Sequence, residues 1–315
     1  MPSAIETRGL SRRFGDRPAV DRVSMHVPER SIYGFLGRNG AGKTTTIRLL
    51  LGLLRADAGS AHIAGIDVAR DRIAAARKVG ALLEAQGFYT HLTGRENLDL
   101  SRRLLGLPAT EIDRVLEIME MTAHAGRRVA DYSLGMRQRL GLARAMLGAP
   151  PVLVLDEPSN GLDPEGIADM RRFLRALPER ANATVLLSSH LLGEIEQTAT
   201  HVGILSHGRL VLEGALAELK AGLASEVLIE TDTPERAVDI ARAHGFDVVR
   251  EHDALIARFG PEADTRHATA ALNRVLCIAG GVRIHALAPR QRSLETLYRQ
   301  AAHTAAPAAL SACTR

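Results

Sequence analysis

The sequence contains no tryptophan and only four tyrosines and six phenylalanines, too few aromatic faces to build the stacking platforms on which single-stranded nucleic acid is held. Lysine is almost as scarce. It occurs only at Lys43, Lys78 and Lys220, so the formal charge of +4 rests on arginines spread along the chain, with no basic tail. No nucleic acid partner is expected. Two cysteines, Cys277 and Cys313, fit neither a disulfide framework nor a metal-ligand spacing and suit a reducing cytosol. No run reaches the roughly 18 apolar residues that a membrane helix needs, and the N-terminus lacks the apolar segment of a signal peptide. The chain is therefore expected neither to cross a membrane nor to be exported, and any membrane anchorage must come from another polypeptide.

What is present is an ordinary globular composition, 46% hydrophobic and 24% charged, over 315 residues, enough for one large domain and an appendage. Short strands are expected at Ala4–Leu10 and Val23–Val27 around a turn at Gly15–Asp16, then at Ser31–Leu36, Val79–Leu83, Val152–Leu155, Thr184–Ser188, Val202–Ser206 and Leu210–Glu213. Helical spacing occurs at about Thr44–Leu51, Arg95–Leu105, Glu111–Met121, Arg137–Leu147, Pro164–Ala176 and Leu191–Ala199. This alternation predicts an α/β fold with a mostly parallel sheet covered on both faces. The stretch of about 88–149 carries helix signals and no strand, which predicts an inserted helical subdomain. After Gly222 the pattern restarts as a small α+β domain of βαββαβ type. The expected organisation is thus a main domain over 1–221, a second over 222–303 and a frayed tail over 304–315.

Three clusters carry chemistry. Residues Gly37-Arg38-Asn39-Gly40-Ala41-Gly42-Lys43-Thr44 match GxxxxGK[ST], between a strand and a helix. Glycines let successive backbone amides turn inward on phosphate, and the helix that follows adds its positive end. The loop from Gly37 to Thr45 is read as a nucleotide cradle, in which Lys43 reaches the β- and γ-phosphates and Thr44 ligates Mg²⁺. A buried strand run, Val152–Leu155, ends in Asp156-Glu157, at the carboxyl edge where such sheets bind ligands. Asp156 is positioned to hold Mg²⁺ and Glu157 to polarise the attacking water as general base. By itself an acidic pair closing a strand more often caps a helix; sharing a chain with the phosphate loop favours the catalytic reading. A second strand ends in Ser188-Ser189-His190, placing a histidine where it can donate to a γ-phosphate and report that ATP is intact.

Asp131-Tyr132-Ser133-Leu134-Gly135-Met136-Arg137-Gln138 resembles the signature of the ABC ATPase family, usually Leu-Ser-Gly-Gly-Gln. The resemblance implies a P-loop ABC cassette: a RecA-like mostly parallel sheet core, antiparallel N-terminal strands and an inserted helical subdomain. It implies that Ser133 and Gly135 cap the γ-phosphate held by an opposite subunit, that Phe14 stacks on adenine, and that Ser159–Asp163 forms a loop crossing the dimer, with Asp163 near the opposite nucleotide. The family usually has glutamine after the strand Val79–Leu83, whereas this chain has Glu84, with Gln86 two residues later as an alternative register. Glu84 would ligate Mg²⁺ or position water. Glu84, the Tyr-Ser-Leu-Gly-Met signature and the C-terminal extension are similar to the bacitracin-export, lantibiotic-immunity and multidrug subgroup.

On this resemblance the chain is expected to be the ATP-binding, ATP-hydrolysing subunit of an ABC transporter, peripheral on the cytoplasmic face of the membrane. Two copies would close around ATP and Mg²⁺, and a groove at Glu84–Tyr89 and the helical subdomain would receive an ABC-2 type membrane permease that sets the substrate. The alternative is a soluble ABC ATPase of translation or DNA repair, disfavoured because the chain has one cassette and no sustained heptads. A regulator without chemistry is disfavoured because Lys43, Asp156, Glu157 and His190 are all present. The second domain is open to regulation, dimerisation, permease contact or plain support.

Overall fold

The computed structural model describes residues 3–83, 87–251, 254–260, 263–290 and 293–298. The chain divides between Leu216 and Ala217 into two compact units. In the first, the strands β1 (Ser3–Phe14) and β2 (Arg17–Pro28) form one long hairpin, extending well past the short runs expected at Ala4–Leu10 and Val23–Val27. Polar residues such as Arg12, Arg13 and Asp21 hide the strand pattern locally, and cross-strand pairing supplies what propensity does not. Strand β3 (Ile32–Leu36) leads into α1 (Lys43–Leu50), followed by β4 (Ala58–Ile63), β5 (Ile66–Asp67) and the short helix α2 (Arg72–Ala76). These last three carry no strong period, so the sequence pattern predicts no element there.

Strand β6 (Val79–Leu82) precedes α3 (Gly94–Leu104), α4 (Thr110–Ile118) and α5 (Leu134–Ala145). The only pairing in this helical stretch, among the described residues, is an isolated bridge between Thr93 and Arg128. Helix α3 opens on a capping box of Thr93 and Glu96. Helix α5 starts three residues before the expected Arg137, because Ser133 caps it by accepting from the Met136 amide. Strand β7 (Val152–Asp156), helix α6 (Pro164–Arg180), β8 (Thr184–Ser189), α7 (Leu192–Thr198), β9 (His201–Ser206), β10 (Arg209–Ala215) and α8 (Leu216–Ala221) follow. Helix α6 has Pro164 in its first turn and runs through Pro178, past the expected end at Ala176. A proline there gives up a backbone hydrogen bond and crowds the carbonyl four residues back, and the helix ends soon after, at Arg180.

Two sheets result. One is antiparallel, in the order β2-β1-β4-β5, and the other runs β10-β9-β3-β8-β7-β6 with only β10 antiparallel. The central strands β3, β7 and β8 are buried along their whole length, as a sheet covered on both faces requires. Parallel register sets Asp156 opposite Ser188 and Leu36 opposite Ser189, so β3, β8 and β7 end side by side at one carboxyl edge. The core includes Tyr33, Phe35, Ile47, Leu50, Val152, Val154 and Leu186. Helix α5 lies so close over β6 that a Cβ on Gly80 would sit 1.8 Å from the Ala145 carbonyl oxygen. Gly80→Ala should therefore cost about 3 kcal/mol of stability through overpacking, measurable as a shift in the denaturant midpoint at unchanged slope.

The second unit carries β11 (Ser225–Thr231), α9 (Pro234–Ala243), β12 (Asp247–Glu251), β13 (Ala254–Phe259), α10 (Thr265–Arg274) and β14 (Ile284–Arg290), with a π-helical turn, Val275–Ala279, after α10. Its sheet is antiparallel, ordered β12-β13-β11-β14. Val227, Ile229, Val248 and Leu255 pack with Ala237, Ala241, Leu272 and Leu276 of the helices, giving the βαββαβ arrangement its own core. Residues 304–315, expected to be frayed, lie outside the described residues. Among the described residues no helix is long and apolar enough to cross a membrane.

Candidate functional site

The loop between β3 and α1 turns on Gly40 and Gly42, at φ of 80° and 109°, backbone angles that only glycine adopts without strain. Gly42 is doubly constrained, since a Cβ there would meet the Ala19 carbonyl oxygen at 2.4 Å. Arg38, Asn39 and Gly40 are exposed at the tip, Gly37 and Ala41 are buried, and Thr44 and Thr45 are half-buried. Lys43 is the first residue of α1 and only 6% exposed. Its Nζ donates to the Gly37 carbonyl at 2.7 Å and lies 3.6 Å from Oε1 of Glu157. A buried ammonium needs such partners, and these hold it under the loop.

The end of β7 supplies the opposing charge. Asp156 is 3% exposed; its Oδ1 accepts from the Ser188 hydroxyl and its Oδ2 from Thr44 Oγ1 at 3.4 Å. One hydroxyl and one carboxylate, oxygen donors only, suit a hard divalent cation that keeps water and phosphate as its other ligands. Glu157 adopts φ of 50°, an uncommon conformation for a residue with a side chain and one that concentrates at functional sites. Its amide donates to Ser188, at 3.1 Å to Oγ and 3.3 Å to the carbonyl. Its Oε2 lies 2.8 Å from His190 Nδ1. Lys43, Thr44, Asp156, Glu157 and His190, picked from three separate stretches of sequence, are thus joined by direct contacts at one sheet edge. Ser188, which holds both acids, was not singled out from sequence; only the parallel register that sets it opposite Asp156 reveals its role.

Ser133, Gly135 and Asp163 belong to a different place. They line a groove of about 490 Å³ with Leu134, Met136 and Leu162, and no residue of the loop Gly37–Thr45 borders it. Asp163 caps α6, its Oδ1 accepting from the Gly166 amide at 2.9 Å. The groove thus sets the helix end capped by Ser133 beside that capped by Asp163, each an amide-rich terminus that attracts anions. Phe14 stands at the end of β1, half-exposed, with the Arg12 guanidinium 5.1 Å from its ring centroid. Glu84, and the alternative Gln86, lie outside the described residues. Among the described residues that follow them in sequence, Tyr89 is exposed and Phe88 carries the Arg144 guanidinium 4.6 Å above its ring.

Comparison with known proteins identifies the family. A family described as ABC transporter matches residues 20–160. The chain is 41% identical over 261 residues to the bacitracin transport ATP-binding protein BcrA of Bacillus licheniformis, covering 82% of this chain and 84% of that protein. It is 35% identical over 304 residues to the daunorubicin resistance ATP-binding protein DrrA3 of Streptomyces coeruleorubidus, covering 94% and 95%. Among solved structures, an ATP-binding subunit of an ABC transporter superposes with a TM-score of 0.61 at 29% identity, over 69% of this chain and 92% of that one.

Proposed function

The chain belongs to the ABC transporter family as an ATP-binding, ATP-hydrolysing subunit, and from that premise we propose that two copies close face to face around two ATP molecules and drive a separate membrane permease. The contact network joining Lys43, Thr44, Asp156, Glu157 and His190 carries this reading. Three consecutive buried strands deliver cation, hydroxyl, acids and imidazole to one edge, which is the equipment that phosphoryl transfer to water demands.

The roles follow from the chemistry. The amides of Gly40–Thr45 and the Lys43 ammonium take up the triphosphate, so the ammonium exchanges Gly37 and Glu157 for phosphate oxygens. Thr44 and Asp156 are the residues that would hold Mg²⁺; when bound, the ion neutralises phosphate charge. Glu157 accepts a proton from the attacking water, and His190, in contact with Glu157, is placed to donate to the γ-phosphate. Phe14 offers an exposed ring face to the base.

No residue of the loop Gly37–Thr45 borders the groove at Ser133, Gly135 and Asp163, which supports its use by the nucleotide of a second copy. ATP then bridges the two subunits, and its hydrolysis removes the bridge. Ser133→Arg would fill the groove with a large side chain. ATP binding to the separate subunit should stay within about twofold of wild type, while ATP-dependent dimerisation on size-exclusion chromatography with light scattering is lost. Dimers persisting in that variant would refute the face-to-face arrangement.

We place the subunit on the cytoplasmic face of the membrane, held by an ABC-2 type permease at Phe88, Tyr89 and the helical stretch Gly94–Ala145. The exposed Tyr89, Leu104 and Leu105 support a docking surface there. The relatives act in bacitracin transport and daunorubicin resistance, and export of an antibiotic or peptide is the corresponding proposal for this chain.

A further inference from the structure

The loop that presents His190 is fixed from behind by Glu194, a residue outside the motifs, acting through Ser189. Ser189, 2% exposed, takes the Leu191 amide on its Oγ at 3.0 Å, and the same hydroxyl donates to Oε2 of Glu194 at 3.2 Å. His190 sits between these two anchors, its imidazole on Glu157. Glu194 lies in the first turn of α7, and its own carbonyl accepts from Thr198 Oγ1. Its second carboxyl oxygen, Oε1, is buried without a hydrogen-bond partner among the described residues, and so is Nε of Arg171 on α6. Helix α6 packs against α7, and the Arg171 charge acts on the Glu194 carboxylate through space.

A carboxyl group half-buried with a bare oxygen is costly. Burial holds Glu194 above the usual carboxylate range, the Ser189 hydrogen bond pulling the other way. Plain support for α7 would be better served by an apolar residue. The contacts form instead an unbroken chain, Glu194 to Ser189 to the Leu191 amide, that brackets the imidazole touching Glu157.

We propose that Glu194 is a positioning residue for the hydrolytic step: through Ser189 it locks the backbone of residues 189–191 so that His190 is aimed at Glu157 and the γ-phosphate side of the site. This inference rests on the role given to His190 above. Freed of the lock, the histidine samples other orientations, and turnover falls while nucleotide binding, which Lys43 and the loop amides carry, does not.

The test measures ATPase kinetics of Glu194→Ala, Glu194→Gln, Ser189→Ala and His190→Ala in the full chain, with thermal melting as the control for folding. Glu194→Ala and Ser189→Ala should each lower kcat about tenfold with KM within about twofold. Glutamine keeps an oxygen to accept the Ser189 hydroxyl and should restore kcat to within about twofold of wild type. Single-turnover rates in the His190→Ala background should show no further loss from Glu194→Ala, since both changes break one unit. Full activity in folded Glu194→Ala, an equal loss in both backgrounds, or failure of glutamine to rescue would overturn the proposal. His190→Ala turning over normally would instead remove the role of the histidine itself, which separates the two failures.

Discussion

Glu157→Gln protein will bind ATP as tightly as wild type and hydrolyse it at least about a hundredfold more slowly, the loss expected when a general base is removed. The change is nearly isosteric, so the amide side chain can keep a contact with His190 while losing the charge that polarises water. Removing the carboxylate also frees Lys43 from the partner it holds at 3.6 Å. Affinity should consequently hold or improve, and the ATP-bound dimer should accumulate because nothing removes its bridge. Phosphate-release assays alongside equilibrium binding of a fluorescent nucleotide read both quantities. Normal turnover in this variant would take the role of base away from Glu157.

Lys43→Ala should weaken ATP binding about a hundredfold, roughly 2.7 kcal/mol, because the lost group is a charged donor at a desolvated site. The fold should survive. The Lys43 side chain spends its interactions on the Gly37 carbonyl and Glu157, both within the site, and the apolar face of α1 that packs the core, Ile47, Leu49 and Leu50, is untouched. Isothermal calorimetry, with circular dichroism to verify folding, decides the matter. Unchanged affinity would dissolve the assignment of the cradle.

Several elements were legible from the chain because their cause is local. The glycine pattern before Lys43 encodes its own loop, since positive φ at Gly40 and Gly42 is a property of the residues themselves. Buried strands such as Val152–Asp156 announce themselves as continuous apolar runs. Helix α5 starts three residues before the expected Arg137, and α6 ends beyond the expected Ala176. Capping by Ser133 and tolerance of Pro178 in a last turn depend on geometry that spacing alone does not express. Strands β4 and β5 and helix α2 were missed because small and polar residues there take their structure from pairing with β1 and from their neighbours.

The sequence by itself determined which groups are available: a glycine cradle with its lysine, two acids closing an apolar strand, a histidine closing another, and a serine-capped helix. Which of these meet was decided only by tertiary structure. Parallel register places Ser188 against Asp156, strand order brings Lys43 beside Glu157, and crossover connections leave Ser133 and Asp163 in a groove apart from the cradle. The physical reason is range. Backbone angles and hydrophobic period are fixed by a few neighbouring residues, whereas a hydrogen bond between residues 32 or 112 positions apart exists only once the sheet has closed and chosen its register.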